Sequence, residues 1–212
     1  SMAGHLARDM AGHLDGGVRE ELEELLRQAA TDVALAPETR AKLADVLDEL
    51  WTPDDLHHFV SISSTENPQF TLSKYLITNA QYLRFLEAED YHAQEYWIGF
   101  PKFDEHSQAM EGDWGDAGYE WLKKNWDERK KVYPRYWSDP RFGSMRPNVP
   151  IVGISWYEAN AYAKWLQTHW AECEESKTLA QPSLLRLPTR AEWVQAAGGA
   201  EPEHRFPWDA VG

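Results

Sequence analysis

Apolar residues recur at helical spacing in five places along this chain. Val18, Leu22, Leu25, Leu26 and Ala29 follow i, i+4, i+7, i+8, i+11, the stripe of an amphipathic helix. Leu43, Val46, Leu47 and Leu50 form a second stripe, and Pro37 stands where a first helical residue is expected. Together they predict an acidic helical hairpin within residues 18–57. Its first reading is two helices packed on the rest of the chain, and its second is a docking element for a partner. A third stripe is Tyr82, Phe85 and Leu86, and a fourth is Ala159, Tyr162, Ala163, Leu166 and Trp170. Trp193, Ala196 and Ala197 make a fifth.

The last three stripes share one kind of start. Thr78 precedes Gln81, Ser155 precedes Glu158, and Thr189 precedes Glu192, each the spacing of a capping box. Pro188 keeps Leu187 extended and outside the helix, and Gly198-Gly199 supplies a stop. A short extended run precedes each box: "LSKYLI", "VPIVGI" and "LLRLP". "HHFVSI" reads as the first strand of the body, after a capped turn at Thr52-Pro53-Asp54-Asp55. The class is therefore α+β, with short strands, capped helices and long loops. Residues 91–149 are the longest irregular stretch, with "GYEWLKKNWDERKKVY" as a helix. Its tryptophans 114, 121, 126 and 137 are expected against the core, with an exposed aromatic ligand platform as the alternative.

Composition divides the chain. Residues 1–57 carry 13 acidic and 5 basic side chains, while ten of eleven tryptophans lie after residue 90. The net charge of −14 argues against a phosphate-backbone partner, and no apolar run approaches a membrane span. Cys173 is the single cysteine, so no intrachain disulfide forms, which fits the cytoplasm. "MAGHL" occurs at both Met2 and Met10, and Ser1 reads as a cloning remnant. Residues 1–17 are expected to be disordered or to derive from cloning.

Four separated motifs then carry a resemblance. "KYLITNAQYLRFL", "PIVGISWYEANAYAKWL", "LLRLPTRAEWVQAAGG" and "HRFPWD" resemble, in order, the signature series of the formylglycine-generating enzyme / sulfatase-modifying-factor family. The resemblance covers about Phe59 to Gly212. It implies the N-terminal part of a C-type-lectin-like fold over residues 58–212. It also implies structural roles for Thr78, Gln81, Ser155, Trp156, Glu158, Arg186, Pro188, Thr189, Glu192, Trp193, Pro207 and Trp208. Arg190 and Val194 stand where the family usually has glutamate, and Asp209 where it has glycine. The family's opening strand is reduced to "FVSISSTENPQFTLSKY". Its later elements, with calcium ligands and paired copper-binding cysteines, do not occur in these 212 residues. The resemblance implies that strands from that later part cover Trp156, Trp165, Trp170 and Trp193, so a contiguous apolar patch is expected without them.

A formylglycine-forming oxidase needs paired thiolates, because soft sulfur selects Cu(I). Cys173 cannot supply a pair, and its neighbours Glu172, Glu174 and Glu175 should raise its pKa. Related sulfoxide synthases hold iron with His-x-x-x-His-x-Glu. His5, His13, His57 and His58 lack that spacing. Asp54/Asp55, Glu89/Asp90 and Asp104/Glu105 are chance adjacencies until something places a pair in a cleft. The sequence thus assigns no catalytic residue, no metal ligand and no cofactor; calcium or copper enters only with the family's C-terminal half. It points to a non-catalytic module that binds a protein or a small ligand, similar to the variable proteins of diversity-generating retroelements. A complementary C-terminal segment of the same domain is the expected partner. The alternative is the N-terminal part of a copper-dependent oxidase that makes formylglycine in sulfatases.

Overall fold

The computed structural model describes residues 16–50, 55–62, 69–177 and 179–197. The doubled "MAGHL", the Thr52–Asp54 turn, the Gly198-Gly199 stop, Pro207 and Trp208 lie outside the described residues. The elements run α1 (Gly16–Thr31), α2 (Pro37–Leu50), β1 (Phe59–Ile62), β2 (Phe70–Ser73), α3 (Asn79–Glu87), α4 (Gln94–Trp97), β3 (Pro101–Phe103), β4 (Ala109–Asp113), α5 (Ala117–Asn125), α6 (Trp156–Thr168) and α7 (Arg190–Ala196). Two single-turn 3₁₀ segments, Trp170–Glu172 and Glu174–Lys177, follow α6. The class is α+β. No described helix is long and apolar enough to cross a membrane.

Contacts divide the chain into two units. The first holds α1, α2, Ile77–Leu83 and Pro134–Gly153. Here α1 lies against α2, with Pro37 at the first helical position of α2. The α1 stripe is turned from the expected direction: Leu26 and Ala29 are half-buried, but Val18, Leu22 and Leu25 are exposed. Glu23, Arg27 and Ala30 are half-buried instead. Asn79 organises the loop of this unit: its amide nitrogen donates to the carbonyls of Phe142 (2.8 Å), Gly143 (3.0 Å) and Arg146 (2.9 Å). A Cβ on Gly143 would lie 2.2 Å from the Trp137 carbonyl, so only glycine fits there. "VPIVGI" forms no strand; it contributes one bridge, Thr78 to Pro150, and an Ile151 amide bond to Ile77.

The second unit holds β1 to β4, the remainder of α3, and α4 to α7. Phe85 is fully buried at its centre, with ring centroids of Tyr91 at 4.7 Å, Trp165 at 5.6 Å, and Trp97 and Tyr162 at 6.1 Å. The expected inward residues Tyr162, Ala163 and Leu166 of α6, and Trp170 of the 3₁₀ segment after it, are buried, and Ala159 is half-buried. The helix expected over Gly118–Tyr133 stops at Asn125 because Asp127 takes the amides of Arg129 (2.9 Å) and Lys131 (3.0 Å) and turns the chain. Lys131 then reaches the Leu86 and Ala88 carbonyls and caps the end of α3.

β1 and β2 pair antiparallel, with Phe59 opposite Ser73 and Ile62 opposite Phe70. β3 and β4 form a second hairpin within the stretch read as irregular. "LLRLP" is no strand. None of the four loop tryptophans is fully buried, and Trp114 is 49% exposed. Trp165 and Trp170 are buried within this unit, whereas Trp156 and Trp193 are 44% and 55% exposed, so of the four tryptophans expected to need cover only these two expose large faces.

Phe85→Ala should cost about 3–5 kcal/mol of stability, and Trp114→Ala under about 1 kcal/mol. Urea unfolding of both variants checks this, and equal losses would contradict the placement of the core.

Candidate functional site

The β3–β4 hairpin places its residues by a turn that Asp104 closes. Asp104 Oδ1 accepts the amides of His106 (2.9 Å) and Gln108 (2.8 Å), and Ser107 takes φ +64°. The hairpin meets the start of α6 and the Arg186–Arg190 segment around a cleft of about 550 Å³. Its apolar wall includes Phe103, Met110, Trp114 and Trp156. Trp156 stands edge-on to Trp114 at 5.6 Å and to Phe100 at 5.4 Å. Lys102 lies over the Trp114 ring at 5.5 Å. Asp104 and Glu105 line the same cleft; Asp104 is taken up by the turn amides, and Glu105 Oε1 lies 3.7 Å from Nε2 of His106.

Four of the motif residues, Trp156, Arg186, Pro188 and Thr189, share this cleft. Ser155, Glu158, Glu192 and Trp193 flank it in the helices that follow. Thr78 and Gln81 belong to the first unit, where they cap α3, with Thr78 N to Gln81 Oε1 at 2.9 Å. The other two boxes also form as the spacing predicts, the Thr189 hydroxyl accepting from Glu192 N and Glu192 accepting from Thr189 N. Trp193 does not fix α7 against the core: no residue of that helix is fully buried.

The two glutamate boxes look alike in sequence and differ in electrostatics. Arg186 donates two parallel bonds of 2.7 Å to Glu192 and stacks over Phe103 at 4.1 Å. Burial pushes the Glu192 carboxyl up, but the Arg186 bonds and the Thr189 amide outweigh it and hold the carboxyl below its ordinary range. Glu158 has no such cation. Burial raises its pKa against the two Ser155 bonds, and its Oε1 has no partner among the described residues.

Sequence reading missed one cluster. Asp90 accepts from Tyr96 (2.6 Å) and from His169 (2.9 Å), and His169 also meets Glu172 (3.3 Å). Burial opposes charge on both partners, but these bonds prevail, so Asp90 is held low and His169 high. Asp90 and His169 are 79 residues apart, and no local spacing announces them. Cys173 is buried; burial first, then Glu175, Glu172 and Glu174, raise its pKa against Arg84. Among the described residues, no three His, Cys, Asp or Glu are grouped to hold a metal.

The family model described as the sulfatase-modifying factor enzyme 1-like domain matches residues 40–211. A formylglycine-generating enzyme of Thermomonospora curvata is 31% identical over 149 residues, covering 66% of this chain and 40% of the relative. A hercynine oxygenase of Mycolicibacterium smegmatis is 24% identical over 175 residues, covering 78% of this chain and 32% of the relative. A serine/threonine-protein kinase of Chlamydia trachomatis is 26% identical over 141 residues, covering 66% of this chain and 16% of the relative. The chain thus spans less than half the length of each of these relatives. No solved structure matches it.

The two boxes make opposite predictions. Glu192, with a depressed pKa, adds stability that is present above its unfolded pKa and lost as pH falls through the folded one. Glu158, with a raised pKa, adds stability only below its unfolded value, lost as pH rises through the folded one. At neutral pH Glu192→Gln should therefore cost about 2 kcal/mol, while Glu158→Gln should leave stability equal or higher. Thermal melts between acid and neutral pH check this, and the same sign for both variants would refute it.

Proposed function

The chain belongs to the sulfatase-modifying factor enzyme 1-like family, and from that premise we propose that this region is a non-catalytic recognition scaffold with a C-type-lectin-like architecture. The half-exposed Trp114 and Trp156, set edge to face in the cleft beside Lys102, carry the reading. Rigid aromatic faces with a neighbouring cation are recognition chemistry, giving contact area at low entropic cost. Among the described residues, the cleft sets no nucleophile beside a base. The occupant is a protein or a small ligand, in the manner of retroelement variable proteins, and the setting is the cytoplasm. The net charge of −14 favours neither nucleic acid nor an anionic membrane.

The relatives support a scaffold role. Proteins named for three different chemistries, a formylglycine-generating enzyme, a hercynine oxygenase and a protein kinase, each match about two thirds of this chain or more. Likeness to proteins of such different names does not by itself set any one of their reactions. The second reading, part of a copper-dependent oxidase, is favoured by the 31% identity to the formylglycine-generating enzyme. The residues in hand do not fit copper: a single thiol, buried and with a raised pKa, is no soft-ligand pair. In that reading copper, and calcium likewise, is held by a complementary segment of the domain.

The 212-residue chain, incubated with a cysteine-containing sulfatase peptide with or without copper, should leave the peptide mass unchanged. Mass spectrometry reads the outcome. A protein-dependent loss of the peptide's sulfur would overturn the scaffold reading.

A further inference from the structure

At the end of α6 one imidazole stands between two carboxylates. His169 follows Thr168, the last residue of the helix, as its C-cap. Its Nε2 lies 2.9 Å from Asp90 Oδ2, and its Nδ1 lies 3.3 Å from Glu172 Oε2. Asp90 comes from the connection between α3 and α4, and Glu172 from the 3₁₀ turn Trp170–Glu172. The ring therefore joins three pieces of the second unit: a connection, the end of α6 and the turn after it. A neutral imidazole cannot hold both contacts, because it carries one N–H and turns an acceptor toward the second carboxylate. The imidazolium has two N–H groups and satisfies both.

The groups around the ring favour the charged state as well. A helix presents the negative end of its dipole at its C-terminus, where His169 sits. The Trp165 indole packs against the imidazole with ring centroids 5.2 Å apart, and an aromatic face attracts a cation. From α4, the Tyr96 hydroxyl donates to the same Asp90 oxygen at 2.6 Å, which keeps that carboxylate ionised and aimed at the ring. Farther out, Lys131 from the loop after α5 acts on Asp90, and Glu95 of α4 acts on Tyr96. Burial opposes charge on both central partners, but the bonds between them outweigh it.

We propose that Asp90, His169 and Glu172 form a proton-operated tie, which fastens the α3–α4 connection and the Trp170–Glu172 turn to the end of α6 while the imidazole is charged and frees the turn when it is neutral. Loss of the proton leaves one N–H. The Asp90 contact is the shorter one and the Tyr96 hydroxyl supports it, so the N–H stays on Nε2 and the Glu172 contact is given up. The Glu172 side chain is 78% exposed and moves into water. Because the folded pKa of His169 is raised, the tie adds stability that is fully present below the unfolded value of about 6.5 and is lost as pH rises through the folded one. Because the folded pKa of Asp90 is depressed, the tie is also lost as pH falls through that value. It is closed between these limits and opens on the alkaline side of 6.5.

The test follows the 212-residue chain by NMR. The His169 ring signal, assigned by its loss in His169→Gln, should titrate above 6.5. Asp90→Asn and Glu172→Gln should each move that titration downward, the first more than the second. Across the same titration, exchange at the Glu172 and Cys173 amides, which bond to His169 O and Trp170 O, should rise about threefold beyond its intrinsic dependence on pH. In His169→Gln, whose side chain cannot change charge, the extra rise should vanish. Glu172→Gln alters an exposed side chain and keeps the fold even where the other two variants lose it, so its ring titration and its amide exchange decide alone. The proposal is overturned if His169 titrates at or below 6.5, if Glu172→Gln leaves the titration where it was, or if the amides show the same dependence on pH in the parent and in the variants. None of these outcomes depends on what the aromatic cleft binds.

Discussion

The bidentate bond between Arg186 and Glu192 is the constraint on which the candidate surfaces depend. Glu192 is the reciprocal partner of the Thr189 cap, so the bond fixes where α7 begins. Arg186 stacks on Phe103, so the same bond ties that start to the β3–β4 hairpin and shapes the aromatic cleft. On its other side Arg186 borders a second cavity, beside β2. With side-chain exposures of 20% and 13%, the pair sits between the weak surface regime and the costly buried one, where ideal geometry decides its value. The charge of Arg186 is spent on Glu192, so neither cavity presents it as an anion receptor. What they offer is aromatic and apolar surface.

Behind these surfaces stands the aromatic cluster around Phe85. It draws on α3, α4 and α6, with Tyr91 in the connection, and the connections between these elements are irregular. With only two-stranded sheets present among the described residues, ladder hydrogen bonding cannot hold such a unit together, since isolated hairpins are marginal in water. Ring packing takes that role. Some buried polar tips are tied locally: Trp97 Nε1 donates to Tyr91 O at 2.7 Å, and Lys131 fastens the last carbonyls of α3, whereas Nε1 of Trp165 has no partner among the described residues. Long loops are tolerated because these bonds anchor their ends to the cluster.

How much was legible in the sequence follows the range of each interaction. The capping boxes were legible because cap and partner are three residues apart, and all three formed. The buried faces of α3 and α6 were legible from period alone. The direction of the α1 stripe was not, because only the place where α2 packs decides which side is covered. "VPIVGI" and "LLRLP" have strand composition, but a strand also needs a neighbour, and among the described residues neither run has a full one. The aromatic cleft was half legible. Trp156 and Thr189 announced themselves by motif, while Trp114 was assigned to the core because a tryptophan in a loop says nothing of which way it faces. Asp90, Tyr96 and His169 were illegible, since their meeting depends on the packing of α4 against α6.

A region held by ring packing and local caps, with short sheets, specifies its core without specifying its surfaces. The residues that fix it, Phe85, Trp97, Trp165, Ser155, Thr189 and the Arg186–Glu192 pair, point inward or into caps. Those around the cleft, Lys102, Met110 and Trp114, belong to a hairpin with few core obligations: every residue of β4 is exposed. Substitution there costs little stability while the core stays fixed. Glu158 is the exception that bounds this freedom. A buried carboxyl with a raised pKa and an unpartnered oxygen persists because it closes the cap that begins α6, and α6 carries Tyr162 and Trp165 into the cluster.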